Sequence, residues 1–397
     1  MVLPLFHQVN TDKLACLKIQ KLIMNEASEN KKILYIFSGG RKERLTSDEN
    51  FAKDFFYGFY NVKEKYPNTF IHEISHKHIL IFKQIDSFIK KLTHFPISFS
   101  GLFNKKLSRD MTSSSIVYLV NESVMFYSLP LIIFIKTFKK DTRIILFTMG
   151  LFSNISYKNK RHRIQELIIR KICLRFIDKF YFLGFGEYKY AVSNFESRKN
   201  KFKLTPFGVD YRFWHSKEKY KLEKREHILF VGNDLNRDYE LVSNLAKSME
   251  DTKFVIVSSR FSELETIPKN VTLIDGMWWN NKISDSQIKK LYQKSIFSII
   301  PLKQSLQPSG QSVALQSMSS GSPVLITSTK GFWNPDKFSD NQNIFFINGN
   351  SLDVWKDRIE QLLTDEDLVC NVSKQAQLTV AKNFDLSHFS SLIIEDI

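Results

Sequence analysis

The chain has 397 residues, 43% of them hydrophobic, and carries 57 Lys plus Arg against 41 Asp plus Glu, a formal net charge of +16. That length makes two domains the default. Cys16, Cys173 and Cys370 stand far apart with no CxxC spacing, which argues against a disulfide framework or a cysteine zinc site and points to a reducing compartment.

The longest apolar run, 129–135, is far shorter than the roughly 20 residues a bilayer span requires. Residues 1–30 lack the continuous apolar core of a secretory signal. The charge is unevenly spread. Residues 1–210 hold 35 Lys plus Arg against 18 Asp plus Glu, whereas residues 211–397 hold 22 against 23. A basic half beside a neutral one implies an anionic partner for the first half, a membrane surface, a nucleic acid or an acidic glycan, or else simply a lysine-rich surface.

Residues 31–37 read as a buried strand, and Ser38-Gly39-Gly40-Arg41 as the turn at its carboxyl end, where doubly wound sheets bind ligands. Residues 50–66 predict a helix capped by Ser47 or Asp48 and stopped by Pro67, and 70–74 a second strand. His72, His76 and His78 are close together but bring no evident fourth ligand, so no metal is expected there. A strand at 116–120, a helix at 126–138 opened by Pro130, and a strand at 143–147 ending at Met149-Gly150 follow. In 160–179, Ile164, Leu167, Ile168, Ile172 and Phe176 share one side and Arg or Lys fills the rest. That helix either lies against anionic lipid or packs its stripe on the sheet. A strand at 178–183 closes the first half, and the charged run 217–226 reads as the linker.

The second half opens with a strand, 227–231, ending in Gly232, then the loop Asn233 to Asp238 with Arg237 inside it, then a helix from about Glu240. Strands at 253–257 and 271–274 precede Trp278-Trp279, which offer a stacking face or serve as core and lid. A helix at 284–294 and a strand at 296–300 lead into the stretch 301–331. There Ser309-Gly310-Gln311-Ser312 starts a helix with Val313, Leu315 and Met318 as apolar positions, Gly321 and Pro323 end it, and 324–326 is a strand. Such a unit aims free backbone N–H groups and the positive end of a helix dipole at an anion, usually a phosphate. A strand at 344–347 and helices at 351–363, 366–383 and 384–397 complete the chain. Asp365-Glu366-Asp367 reads as an acidic helix start rather than a metal motif.

The stretch 301–331 resembles the donor-binding segment of the retaining GT-B glycosyltransferases, the glycogen-synthase-like family 4 group. Leu315-Gln316-Ser317-Met318-Ser319-Ser320-Gly321-Ser322-Pro323-Val324-Leu325 falls on that group's L-E-A-M-A-x-G-x-P-V-I. Pro206-Phe207-Gly208-Val209-Asp210-Tyr211-Arg212-Phe213-Trp214 falls on its P-x-G-V-D-x-x-x-F/W, which closes the first domain. The resemblance implies an α/β fold of two Rossmann-like domains facing a cleft. Residues 1–210 would form the acceptor-side domain, 211–383 the nucleotide-sugar domain, and 384–397 a helix crossing back.

It also implies site roles. The group places an Arg and a Lys after Gly232 on the donor diphosphate; here Asn233 stands at the Arg position and Arg237 near the Lys. One guanidinium can take two phosphate oxygens, although Arg237 can also simply pair with Asp234 or Asp238. Ser309, Gly310, Gln311 and Ser312 take the positions that present N–H groups, and Lys303 is a spare cation. Trp278 falls near the base. The two family glutamates are Pro308 and Gln316 here; Gln316 can still bond a ribose diol, and Pro308 cannot bond a sugar. Gly39, Gly40, Arg41 and Gly150 fall on the acceptor side, with Met149 where the group often has His.

The implied function is transfer of a sugar, with retention, from a nucleotide-diphosphate donor to a glycan or lipid-linked acceptor of cell-surface polysaccharide or lipopolysaccharide synthesis. No metal or other cofactor is expected. The implied place is the cytoplasm, peripheral on the inner face of the membrane. Two competing classes are a GT-B-shaped protein without transferase activity and a basic nucleic-acid-binding protein; the latter lacks any recognisable binding module, so no nucleic-acid partner is expected.

Overall fold

The computed structural model describes residues 31–46, 50–74, 80–93, 95–138, 141–153, 160–261, 267–276 and 283–397. His76, His78, Trp278, Trp279 and the expected caps Ser47 and Asp48 lie outside them. His72 lies inside, and its Nδ1 is 2.7 Å from the carboxylate of Asp110.

Two six-stranded sheets form the frame. The first contains β1 (Ile33–Ser38), β2 (Thr69–Ile74), β3 (Ile116–Leu119), β4 (Arg143–Thr148), β5 (Lys179–Phe182) and β6 (Phe202–Leu204), in the order β2-β1-β3-β4-β5-β6. The second contains β7 (His227–Val231), β8 (Phe254–Val257), β9 (Val271–Ile274), β10 (Ser295–Ile300), β11 (Val324–Thr327) and β12 (Phe345–Ile347), in the order β12-β11-β10-β7-β8-β9. Every pairing is parallel. The central strands read as apolar runs because helices cover both faces of a parallel sheet. These are two Rossmann-like domains, as the resemblance implies.

In the first half the helices are α1 (Arg41–Thr46), α2 (Phe59–Lys65), α3 (Leu80–Thr93), α4 (Lys105–Thr112), α5 (Glu122–Phe138), α6 (Lys160–Phe176) and α7 (Phe185–Asn194). In the second they are α8 (Tyr211–Trp214), α9 (Tyr239–Ser248), α10 (Asp285–Lys294), α11 (Gln311–Ser319), α12 (Leu352–Leu363), α13 (Glu366–Asn383) and α14 (Leu386–Ile394).

Two expectations need correcting. The single helix expected at 50–66 is a 3-10 turn, Asp54–Phe56, followed by α2, and left-handed Tyr57 (φ 49°) and Gly58 (φ 75°) separate them. The break leaves Asp54 fully buried among residues of the linker and the second domain. The helix expected at 126–138 starts a turn earlier, at Glu122, because Asn121 Oδ1 accepts the Val124 N–H at 2.9 Å, and Pro130 therefore sits inside it.

The chain crosses between the domains twice, and the two crossings bond to each other. Val209 N–H donates to Phe384 O at 2.9 Å and Leu386 N–H to Val209 O at 2.8 Å. α14 then packs on α2 of the first domain.

Candidate active site

Strand order reverses between β7 and β10 in the second sheet, and ligands of open α/β sheets bind outside the carboxyl ends of strands at such a point. The loop after β7 is stitched across this point to the segment after β10. Asp238 N–H donates to Pro301 O at 3.1 Å, Lys303 N–H to Asn236 O at 2.8 Å, and Arg237 bridges Leu302. Arg237 is thereby fixed beside the turn that starts α11.

The turn itself needs glycine. Gly310, the residue before the first turn of α11, has φ 79°, and a Cβ there would stand 3.1 Å from Arg237 Nη1 and 2.8 Å from Ile300 Cγ2. The first backbone bond of α11 runs from Ala314 N–H to Gly310 O at 2.9 Å. The N–H groups of residues 311–313 thus have no partner inside the helix. Gly232 leaves room for the Arg237 side chain, since a Cβ there would stand 2.6 Å from Arg237 Nε and push the guanidinium from its place.

Arg237 is almost wholly buried. Its Nε lies 2.9 Å from the Asp234 carboxylate, and its Nη1 has no hydrogen-bond partner among the described residues. One edge of Arg237 pairs with Asp234, as one of the two sequence readings has it, and Nη1 lies against the start of α11. A buried cation with an unsatisfied donor, beside a helix N-terminus, is suited to an anion.

Opposite stands the first domain. Phe55, Tyr57, Met149, Leu183 and Phe207 close a cavity of about 170 Å³ against Arg237, Gln307 and residues 308–312. Gly150 faces this gap, and a Cβ on it would lie 3.6 Å from the Gln307 side chain. The loop around Gly150 hangs on two buried carboxylates. Glu122 accepts the N–H groups of Met149 at 2.6 Å and Leu151 at 3.1 Å, and Glu187 accepts those of Gly150 at 3.1 Å and Phe152 at 2.7 Å. Burial raises the pKa of both carboxyl groups, and their mutual repulsion adds to it at Glu187.

The other predicted residues fall as follows. Asn233 does not present its amide to the cleft. Its Oδ1 accepts Ser259 N–H at 2.7 Å and its Nδ2 donates to Gly276 O at 2.7 Å, so it ties together the loops after β7, β8 and β9. Arg260 reaches back to this knot, with Nε donating to Asn233 O at 2.8 Å.

Gln316 is also engaged, its Nε2 donating to Asp54 Oδ2 at 2.8 Å and its Oε1 accepting from the Tyr292 hydroxyl at 3.4 Å. The expected ribose contact is replaced by a domain contact, because this side chain lies in the interface. Gln311 Nε2 donates to Leu183 O of the first domain at 3.1 Å. Pro308 packs on Gly184, where a Cβ would meet it at 2.6 Å. Asn236 Nδ2 donates to Ser309 Oγ at 2.7 Å. The Lys303 side chain is exposed and does not line the cavity. Arg41 is buried beneath the first loop, its Nη1 donating to Gly39 O at 3.2 Å and its N–H to Glu73 at 2.6 Å, and Gly40 turns the loop at φ 95°.

Sequence reasoning missed the groups that set the domain spacing. Asp54 accepts the Trp214 indole N–H at 2.7 Å, the Gln316 amide and the Asp210 N–H, with no cation in contact among the described residues. Burial pushes its carboxyl up to about 7. Arg44 makes a two-pronged pair with Asp285 at 2.7 and 3.3 Å, buried between α1 and α10. No local signal marks either, since the partners lie more than 150 residues apart.

Residues 212–379 match the family model described as glycosyl transferases group 1. No curated protein matches the chain in sequence. Among solved structures, the Anabaena protein HepE with UDP-glucose is similar at 12% identity and TM-score 0.64, covering 92% of this chain and 98% of that one. Sucrose-phosphate synthase from Thermosynechococcus elongatus is similar at 11% identity and TM-score 0.66, with coverage of 92% and 98%. A Rickettsia africae glycosyltransferase shows 16% identity and TM-score 0.61, with coverage of 92% and 97%. The fold is GT-B, and the second domain is a group 1 glycosyl transferase domain. The chain is a glycosyltransferase.

Proposed function

We propose that this enzyme moves a sugar, with retention of anomeric configuration, from a nucleotide-diphosphate donor to a glycan or lipid-linked acceptor in cell-surface polysaccharide or lipopolysaccharide synthesis. The observation that carries the donor reading is the unpartnered Nη1 of buried Arg237 beside the left-handed turn at Gly310. As the glycosidic bond breaks, negative charge grows on the leaving diphosphate. Arg237 and the N–H groups of residues 311–313 are fixed in advance to receive it, and preorganised stabilisation of this kind commonly supplies most of an enzyme's rate enhancement.

No metal or cofactor is needed in this scheme, since the guanidinium and the helix end supply the positive charge. The leaving phosphate oxygen takes the acceptor proton. UDP-glucose in the similar HepE crystal supports a uridine nucleotide as the first donor to test. The acceptor binds on the Met149-Gly150 and Gly39-Gly40-Arg41 side of the gap, and the enzyme works in the cytoplasm.

The test is a thermal-shift screen of UDP, GDP and ADP, then sugar transfer from the matching donor with the product anomer read by NMR. Stabilisation by one diphosphate and a retained anomer support the proposal. No stabilisation by any of the three overturns the donor site, and an inverted anomer overturns retention.

A further inference from the structure

The outer face of the first domain carries an unusual surface. Right-handed crossovers put α3, α5 and α6 on the same side of the first sheet, because each follows a step in the same direction along it. α6 packs on both α3 and α5. Of the thirteen large apolar side chains exposed among the described residues, seven lie on these three helices. Ile85, Phe88 and Leu92 recur at helical spacing along α3, with Phe88 66% exposed. Phe134 and Phe138 stack at the end of α5, with Phe138 76% exposed. Ile164 and Ile168 stand out from α6. Of the stripe expected on α6, Ile164 and Ile168 thus face solvent and Leu167, Ile172 and Phe176 are half-buried, while Ile169, Cys173 and Leu174, outside that stripe, take the core.

The charges on the same helices are sorted. Each helix has one acid, and each acid is held by an internal partner. Asp86 accepts from Ser98 Oγ at 2.7 Å and Phe99 N–H at 2.8 Å. Glu122 holds the Met149 loop, and Glu166 is buried beside Arg170. Lys90 and Lys91 of α3 and Lys171 and Arg175 of α6 are exposed. Exposed aromatic and branched side chains among uncompensated cations fit the boundary of an anionic bilayer, where rings enter the acyl margin and cations meet headgroups.

We infer that the α3–α5–α6 face docks this enzyme on an anionic lipid surface. This partner rests on the reading that the acceptor is membrane-borne. This face is joined to the cleft through α5, whose first residue, Glu122, holds the Met149-Gly150 loop and whose far end carries Phe134 and Phe138. No described helix is long and apolar enough to cross a membrane.

The test is flotation of the full chain with vesicles of phosphatidylcholine alone or with roughly one third phosphatidylglycerol, at low and high salt. The expected result is retention by anionic vesicles at low salt and release at high salt. The exposed double variant Phe88→Asp, Phe138→Asp, and separately Lys90→Glu, Lys91→Glu, should each lower retention about tenfold or more. Unchanged thermal midpoints would show that the variants fold. Equal recovery with neutral vesicles, or variants that bind as wild type does, overturns the inference. So does a lipid-free dimer that the Phe variant dissociates, since a second copy would then own the face. No donor or acceptor is present in this assay. Its failure with intact nucleotide binding would remove the membrane partner and leave the donor site standing.

Discussion

The carboxylate of Asp54 and the amide of Gln316 meet across the domain boundary at 2.8 Å, although 262 residues separate them. Gln316 lies in α11, the helix whose first turn faces Arg237. The same contact therefore ties the domain spacing to the axial position of the α11 turn. Asp54 has no compensating cation among the described residues, and burial raises its carboxyl from 3.8 to about 7. Between those values the folded state keeps a proton that the unfolded chain has lost, so its contribution to stability falls as pH rises through that window. The Asp54→Asn variant has no proton to lose. The thermal midpoint of wild type minus that of the variant should shrink as pH rises from about 4 to about 7. A constant difference over that range would remove the titration argument.

Arg237→Ala should weaken the best nucleotide diphosphate by roughly 1.5–3 kcal/mol, the worth of a hydrogen bond to a charged group. Calorimetric titration measures this directly. Affinity equal to wild type would place the diphosphate elsewhere.

Gly310→Ala tests the turn. Alanine at φ 79° is strained by about 1–3 kcal/mol, and its Cβ would stand 2.8 Å from Ile300 Cγ2. We expect a lower thermal midpoint and a loss of diphosphate affinity together. Affinity preserved at normal strength would mean that the backbone here does not hold the ligand.

The Arg44–Asp285 pair should behave as a buried bridge. Removing either partner leaves an unpaired charge, at a cost of about 3–5 kcal/mol. Arg44→Ala and Asp285→Ala should each lower the unfolding midpoint in denaturant, and the double variant should cost clearly less than the two added. Simple additivity would deny the coupling.

Much of the second domain was legible in the sequence. Its strands are continuous apolar runs, and Gly321 and Pro323 punctuate α11 with residues of narrow conformational use. Ser284 and Gln287 form a reciprocal cap at the start of α10. The first domain was less legible at Tyr57, where a left-handed tyrosine breaks an otherwise good helical pattern. α3 went unread although its apolar spacing is regular. In the site, the turn at Gly310 was legible from loop chemistry, and Arg237 was singled out only through the resemblance. The roles of Asn233 and Gln316 could not, because their partners are backbone and carboxyl groups that only the folded chain brings near.

The cavity between the domains, about 170 Å³, is smaller than the roughly 300–1,000 Å³ usual for a ligand pocket, and we predict that the domains part as the donor enters. The backbone of Trp214 is tied to the second domain, its carbonyl accepting from Ser320 Oγ at 3.1 Å, while its indole N–H donates to Asp54 of the first at 2.7 Å. Each opening must strip that N–H of its acceptor and admit water. A red shift in Trp214 emission on adding the donor would therefore report the predicted opening, and unchanged emission would argue against it.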